Sequence, residues 1–117
     1  MKIVSVECLV LDEQYPYVVI NTDEGTIGYG ECFRRSPYVT KTVIETVFAP
    51  LIIGKSPFNN NEIWEEMTNS AATMGPLGTL LTAASGIDIA LWDIKGKVSG
   101  LPVYDLLGGR YRDPVRL

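Results

Sequence analysis

One segment constrains the fold more than any other: Thr79 to Val98 carries two separate apolar rows at helical spacing. Leu80, Ala84, Ile87, Leu91, Ile94 and Val98 recur in steps of four and three, the spacing of a helical stripe. Ala83, Gly86 and Ala90 form a second row made only of small residues. A helix apolar on two sides, one of them lined by small residues, is predicted to lie buried between two partners. Ser99-Gly100 ends it, with Gly100 suited to the left-handed position just past the last turn.

Upstream the period changes from helical to alternating. Val4, Val6, Cys8 and Val10 alternate with Ser5, Glu7 and Leu9, which predicts a strand. Asp12 to Pro16 is a short polar break, and the β-branched and aromatic run Tyr17 to Asn21 predicts a second strand. Thr22-Asp23-Glu24-Gly25 is a turn, followed by a third strand over Thr26 to Cys32. Connections this short predict an antiparallel meander. Gly28 and Gly30 share one face of the third strand, where glycine weakens a strand unless something approaches its backbone closely.

Three further helical segments are expected. Ser36-Pro37 is a start signal, Val39, Val43 and Val47 recur every fourth residue, and Pro50 is expected to end that run. Asn59 and Glu62 have the spacing of a capping box ahead of Ile63, Trp64 and Met67. Leu101-Pro102 opens a short helix that stops at Gly108-Gly109. The fold class is therefore α+β: a three-stranded antiparallel meander followed by a three- to four-helix bundle. Val115-Arg116-Leu117 reads as the start of one more strand with nothing to pair it, a sign of truncation.

Composition excludes several functions. At 117 residues one domain is expected, and 46% hydrophobic content suffices for a core. The net charge of −4 and the scattered basic residues argue against nucleic acid. No apolar run is long enough for a membrane span, and the first residues lack a signal-peptide pattern, so a cytoplasmic location is the default. The absence of His removes the commonest general base and, with two unpaired cysteines, argues against zinc. Cys8 and Cys32 are read as packed, reduced thiols.

The run from Ala83 to Lys97 (AASGIDIALWDIKGK), with its continuation Gly100 to Gly109 (GLPVYDLLGG), resembles the signature of the mandelate racemase and muconate lactonising branch of the enolase superfamily. Asp23-Glu24-Gly25 and Gly28-Tyr29-Gly30-Glu31 fit the same pattern in order and spacing. The resemblance implies an amino-terminal capping domain over residues 1–112, with residues 113–117 opening the first strand of a catalytic (β/α) barrel that this sequence lacks. It implies that one side of the long helix packs in the cap and the other faces the barrel. It also implies chemistry at the carboxyl ends of barrel strands, where a base removes the proton α to a carboxylate and Mg²⁺ stabilises the enediolate. No catalytic residue and no metal ligand is then expected in this chain. The resemblance gives Mg²⁺ as the cofactor of the full-length parent, its own carboxy-terminal barrel and a small carboxylate or sugar acid as partners, and a homo-oligomer as the assembly.

Lys95-Gly96-Lys97 mimics the superfamily's Lys-x-Lys base motif, but on a helix the two lysines point about 200° apart. They are read as structural, with Asp93 and Lys97 as an i,i+4 pair. Asp88 is read as a buried, hydrogen-bonded helix residue rather than an acid or base. The resemblance assigns substrate contact to two capping loops, one about Asp12 to Pro16 and one about Cys32 to Pro37. The candidates there are Tyr15, Phe33, Arg34 and Arg35. An arginine fork suits a distal hydroxyl or carboxylate, against the alternative of solvated surface arginine. Tyr15 is either a substrate contact or a hairpin aromatic. Among relatives, acid-sugar dehydratases come first, with racemases, epimerases and cycloisomerases next; the alternative of another class is a stand-alone α+β binding module without catalysis.

Overall fold

The computed structural model describes residues 1–75 and 77–114. The expected strand at Val115 lies outside the described residues. Three strands, β1 (Ile3–Leu11), β2 (Tyr15–Thr22) and β3 (Ile27–Glu31), form one antiparallel sheet in sequence order. Helical segments follow: α1 (Pro37–Val43), a π-helical turn at Ile44–Phe48, α2 (Ala49–Ile52), α3 (Asn60–Ala71), α4 (Thr79–Ser99) and α5 (Val103–Leu106). The core lies between the sheet and these helices, and Ile3, Cys8, Val18, Ile20, Ile44, Phe48, Ile63, Met67, Ile87 and Leu91 are fully buried.

The strand pattern needs one correction. A register shift between Ile3 and Ser5 turns Val4 outward and Ile3 inward, so the buried row of β1 is Ile3, Val6, Cys8. The extra residue of the bulge costs one step of alternation. The polar break is also shorter than expected. Tyr15 and Pro16 already pair with Leu11 and Val10, leaving Asp12 to Gln14 as the connection. Asp12 and Glu13 take left-handed φ of 48° and 55°, the sign that a tight hairpin turn demands, and Gln14 N–H donates to Leu11 O at 3.0 Å.

The first helical run differs from the valine spacing. The fully buried row is Thr40, Ile44 and Phe48, one residue beyond the predicted one. Val43 and Val47 flank that row, and Val39 is exposed. Ile44 and Phe48 each remove more apolar surface from water than a valine would. Pro50 does not end the run. The widened π turn delivers it to the first turn of α2, where its missing N–H costs no hydrogen bond. Ser36 does precede α1 but takes φ 57° and its hydroxyl caps nothing. Asn59 meets Glu62 side chain to side chain at 2.8 Å rather than through the backbone N–H groups of a capping box.

Both apolar rows of α4 are buried within this chain as far as Ile94, which corrects the expectation that the second row is buried by a partner outside it. The small row meets the sheet. A Cβ on Gly86 would fall 2.1 Å from Cys32 Sγ, and one on Gly28 would fall 2.3 Å from Ala90 O. The larger row, Leu80, Ala84, Ile87, Leu91 and Ile94, fills the core, while Val98 is exposed. A third strip stays open to solvent, centred on Ile89 with the half-buried Trp92 and Ser85 beside it.

Helix side chains occupy backbone groups on both outer strands. On β1, Glu45 Oε1 accepts from Cys8 N–H at 3.0 Å, and Lys41 Nζ donates to Cys8 O at 2.5 Å. On β3, Asp93 Oδ2 accepts from Tyr29 N–H at 2.8 Å, and Lys97 Nζ donates to Ile27 O at 2.8 Å. Each acid is paired with its own base one turn away, both at 2.6 Å. Unpaired strand edges recruit other strands, and these contacts close the edges with charge.

Candidate functional site

The antiparallel order carries the end of β1, the start of β2 and the end of β3 to the same end of the sheet. Both loops singled out in the sequence emerge there. Cys32 N–H donates to Pro16 O at 2.9 Å, tying the second loop to the base of the first. Tyr17 Oη donates to Glu31 Oε2 at 2.9 Å at the same end.

The loop after β3 meets the amino-terminal end of α4. Glu31, Cys32 and Phe33 face Leu81, Thr82 and Ser85 across an open recess of about 340 Å³. Phe33 and Arg35 continue along a smaller recess against Gly78, Thr79 and Thr82. Phe33 is 62% exposed, and neither Arg34 nor Arg35 forms an ion pair among the described residues. Of the four candidates, the structure brings Phe33 and Arg35 together on one recess. Arg34 is exposed but does not line it, and Tyr15 sits half-buried at the start of β2, also outside it. Thr79 and Thr82 were not legible as site residues, because the recess arises from packing between segments far apart in sequence.

This arrangement can hold a ligand, with a guanidinium, a carboxylate, hydroxyls and an aromatic ring around an open recess. Its hydroxyls have no imidazole beside them to act as base, since the chain contains no His. Burial pushes the Cys8 thiol up to about 11 and the Cys32 thiol up to about 12, so neither is a thiolate near neutral pH. Among the described residues, no three His, Cys, Asp or Glu side chains come together to hold a metal ion.

The expected i,i+4 pair of Asp93 and Lys97 forms, at 2.6 Å. Lys97 bonds Asp93 and lies 4.6 Å over the Tyr29 ring, while Lys95 lies 4.6 Å over Trp92. Asp88 is half-buried and accepts from Asn60 Nδ2 at 3.1 Å. Beside these lysines is a second, largely apolar recess of about 480 Å³, lined by Tyr29, Ile89, Trp92, Asp93, Lys97 and Val103. No helix among the described residues is long and apolar enough to cross a membrane.

A meander whose glycine-bearing third strand lies against a long small-faced helix defines an enolase-type capping domain. The chain belongs to the mandelate racemase / muconate lactonizing enzyme family, whose amino-terminal domain matches residues 5–108. It is 39% identical over 117 residues to a D-galactonate dehydratase of Variovorax paradoxus, covering 100% of this chain and 30% of that one. It is 43% identical over 99 residues to a D-galactarolactone cycloisomerase of Agrobacterium fabrum, covering 85% of this chain and 26% of that one. In fold it superposes with a TM-score of 0.85 on an enolase from Pantoea ananatis with bound d-gluconate and magnesium, at 38% identity, covering 96% of this chain and 28% of that one. The chain thus spans less than a third of the length of these relatives.

Proposed function

We propose that this chain is the substrate-capping domain of a magnesium-dependent enzyme that removes the proton α to a carboxylate, acting as an acid-sugar dehydratase. The observation that carries the reading is the pairing of Phe33 and Arg35 with the hydroxyl-bearing first turns of α4, in a chain 39% identical to a D-galactonate dehydratase. A planar guanidinium beside hydroxyls suits the carboxylate or distal hydroxyls of a small sugar acid. Covering the substrate excludes water, which strengthens the electrostatics around it. In this reading residues 1–112 form the cap and 113–117 lead into a barrel that supplies the base and the magnesium ligands. That barrel covers the open strip around Ile89 and Trp92. Tyr15 and Arg34 lie outside the recess, so in this reading they meet only the larger acid sugars.

Dehydration removes the α-proton and expels the β-hydroxyl as water, and the resulting enol tautomerises to a 2-keto-3-deoxy acid. A second reading, cycloisomerisation of a sugar lactone, rests on the 43% identity to a D-galactarolactone cycloisomerase.

The test is turnover of the full-length protein with magnesium on a panel of aldonates, aldarates and their lactones. Ketone formation from an aldonate is the expected result, and Arg35→Ala then raises KM about tenfold or more, the loss of one charge-assisted contact. Turnover of a lactone with ring opening, and of no free aldonate or aldarate, selects the second reading, and no turnover on any member sinks both.

A further inference from the structure

Asp93 and Lys97 lie about three turns from the recess, yet the geometry points to a role in shaping it. They hold β3 by its free edge, at Tyr29 N–H and Ile27 O, each at 2.8 Å. They also hold each other at 2.6 Å. The face of the same strand is pinned independently. A Cβ on Gly28 would meet Ala90 O at 2.3 Å, and one on Gly30 would meet Gly86 O at 2.0 Å. β3 thus has one position along α4, set by backbone contact on its face and by two charged side chains on its edge.

That position matters because β3 runs directly into the loop carrying Phe33 and Arg35. The opposite wall of the recess is the first turns of the same helix, at Gly78, Thr79 and Thr82. One rigid 21-residue helix, about 31 Å long, therefore grips the strand with its carboxy-terminal half and forms the recess wall with its amino-terminal end. Sliding β3 along α4 would change the gap between Phe33 and that wall one for one. We infer that Asp93 and Lys97 are positioning residues: a charged latch that fixes the β3 register and so sets the opening between the Phe33–Arg35 loop and the amino-terminal end of α4. That this opening admits substrate rests on the reading proposed above; the latch itself does not.

Cys32 N–H gives a readout that no local effect reaches. Its acceptor is Pro16 O, and it touches neither Asp93 nor Lys97 in any hydrogen bond. Amide hydrogen exchange is measured on the full-length protein, with Asp93→Ala, Lys97→Met and Asp93→Asn compared with the parent. Asn keeps an acceptor for Tyr29 N–H and loses only the charge. Asp93→Ala is expected to speed exchange at Tyr29 and at Cys32 by about tenfold or more, because both then open with the loosened strand. Lys97→Met is expected to do so more weakly, and Asp93→Asn to restore most of the protection. Faster exchange at Tyr29 alone would overturn the inference, as the contact would then be local. Equal acceleration across the whole sheet in Asp93→Ala, unrescued by Asn, would also overturn it, as the residue would then serve only general stability. In a protein that turns over an acid sugar, Asp93→Ala should raise KM more than it lowers kcat, and an unchanged KM counts against the latch. A protein with no such turnover loses the functional reading, while the exchange data still decide the latch.

Discussion

Gly30 on β3 and Gly86 on α4 meet backbone to backbone: a Cβ built on Gly30 falls 2.0 Å from the carbonyl oxygen of Gly86 and 2.8 Å from Ala90 N. No side chain at position 30 can be accommodated unless the strand or the helix moves. The contact explains why β3 tolerates two glycines despite their entropic cost. It also places the loop after β3 within reach of the amino-terminal end of α4, where the recess forms.

Gly30→Ala should therefore be among the most destabilising single substitutions in the chain, at about 2 kcal/mol or more, since rigid backbone and no flexible side chain stands in the way. Gly25→Ala is the control. Gly25 has φ +81° but open space around it, so only local strain applies, about 1 kcal/mol. Urea unfolding of both variants checks the order, and a Gly30→Ala protein as stable as Gly25→Ala would refute the close-approach account.

How much of this was legible depends on whether the signal was local. The meander and the ends of α4 were readable because alternation, helical spacing and a left-handed glycine act over a few residues. The pair Gly28 and Gly30 correctly announced a close neighbour, although not which one. The valine row at 39, 43 and 47 misled because the next row carried the larger Ile44 and Phe48, and because a π turn let the helix pass Pro50. The two-sided apolar pattern of α4 implied two partners, and both proved to be parts of this chain. Of the residues lining the recess, Phe33 and Arg35 lay on a loop that the family resemblance singled out, whereas Thr79 and Thr82 did not. Their role depends on a contact between segments more than forty residues apart, which no local pattern encodes.

The two cysteines should be silent in the folded protein. Burial lifts the Cys8 thiol to about 11 and the Cys32 thiol to about 12, and both residues are buried, Cys32 at the floor of the open recess with 4% of its surface exposed. An aromatic disulfide reagent at pH 8 is expected to titrate neither thiol in buffer and both in strong denaturant. Labelling in buffer should proceed only at the rate at which the core opens. Prompt modification of Cys32 in native protein would contradict its packing against Gly86, and prompt modification of Cys8 its burial under the first helices.

Glu45 links stability to pH. Burial raises its carboxyl, but the hydrogen bonds from Lys41 and from Cys8 N–H, with the Lys41 charge, outweigh that and hold it below its ordinary value of 4.5. A depressed acid pKa contributes stability that is present above the unfolded value and is lost as pH falls through the folded value. The urea midpoint of the parent should accordingly fall as the pH is lowered from 5 toward 3. Glu45→Gln should start lower at pH 7 and fall less steeply over that window. Parallel midpoint curves for the two proteins would show that the carboxylate is not coupled to the edge of β1.

The strip left open on α4 predicts how the 117-residue chain behaves alone. Ile89 and Tyr29 are each 49% exposed beside Trp92. Tyr29, Ile89, Trp92 and Val103 line one largely apolar recess, and contiguous apolar surface of this kind is normally covered by another surface. In the proposed full-length enzyme that cover is the barrel. In the isolated chain no such cover exists, so self-association that grows with concentration is expected in sedimentation velocity, together with binding of an apolar dye. Ile89→Lys should suppress both while changing the unfolding midpoint little, because an exposed position contributes within about 0.5 kcal/mol to stability. Lys95 and Lys97 already flank the strip, so an added lysine also brings like-charge repulsion between copies. A chain that stays monomeric across the concentration series, binds no dye and responds to Ile89→Lys with neither change would mean that this face is built for water, and the assignment of the barrel to it would fall.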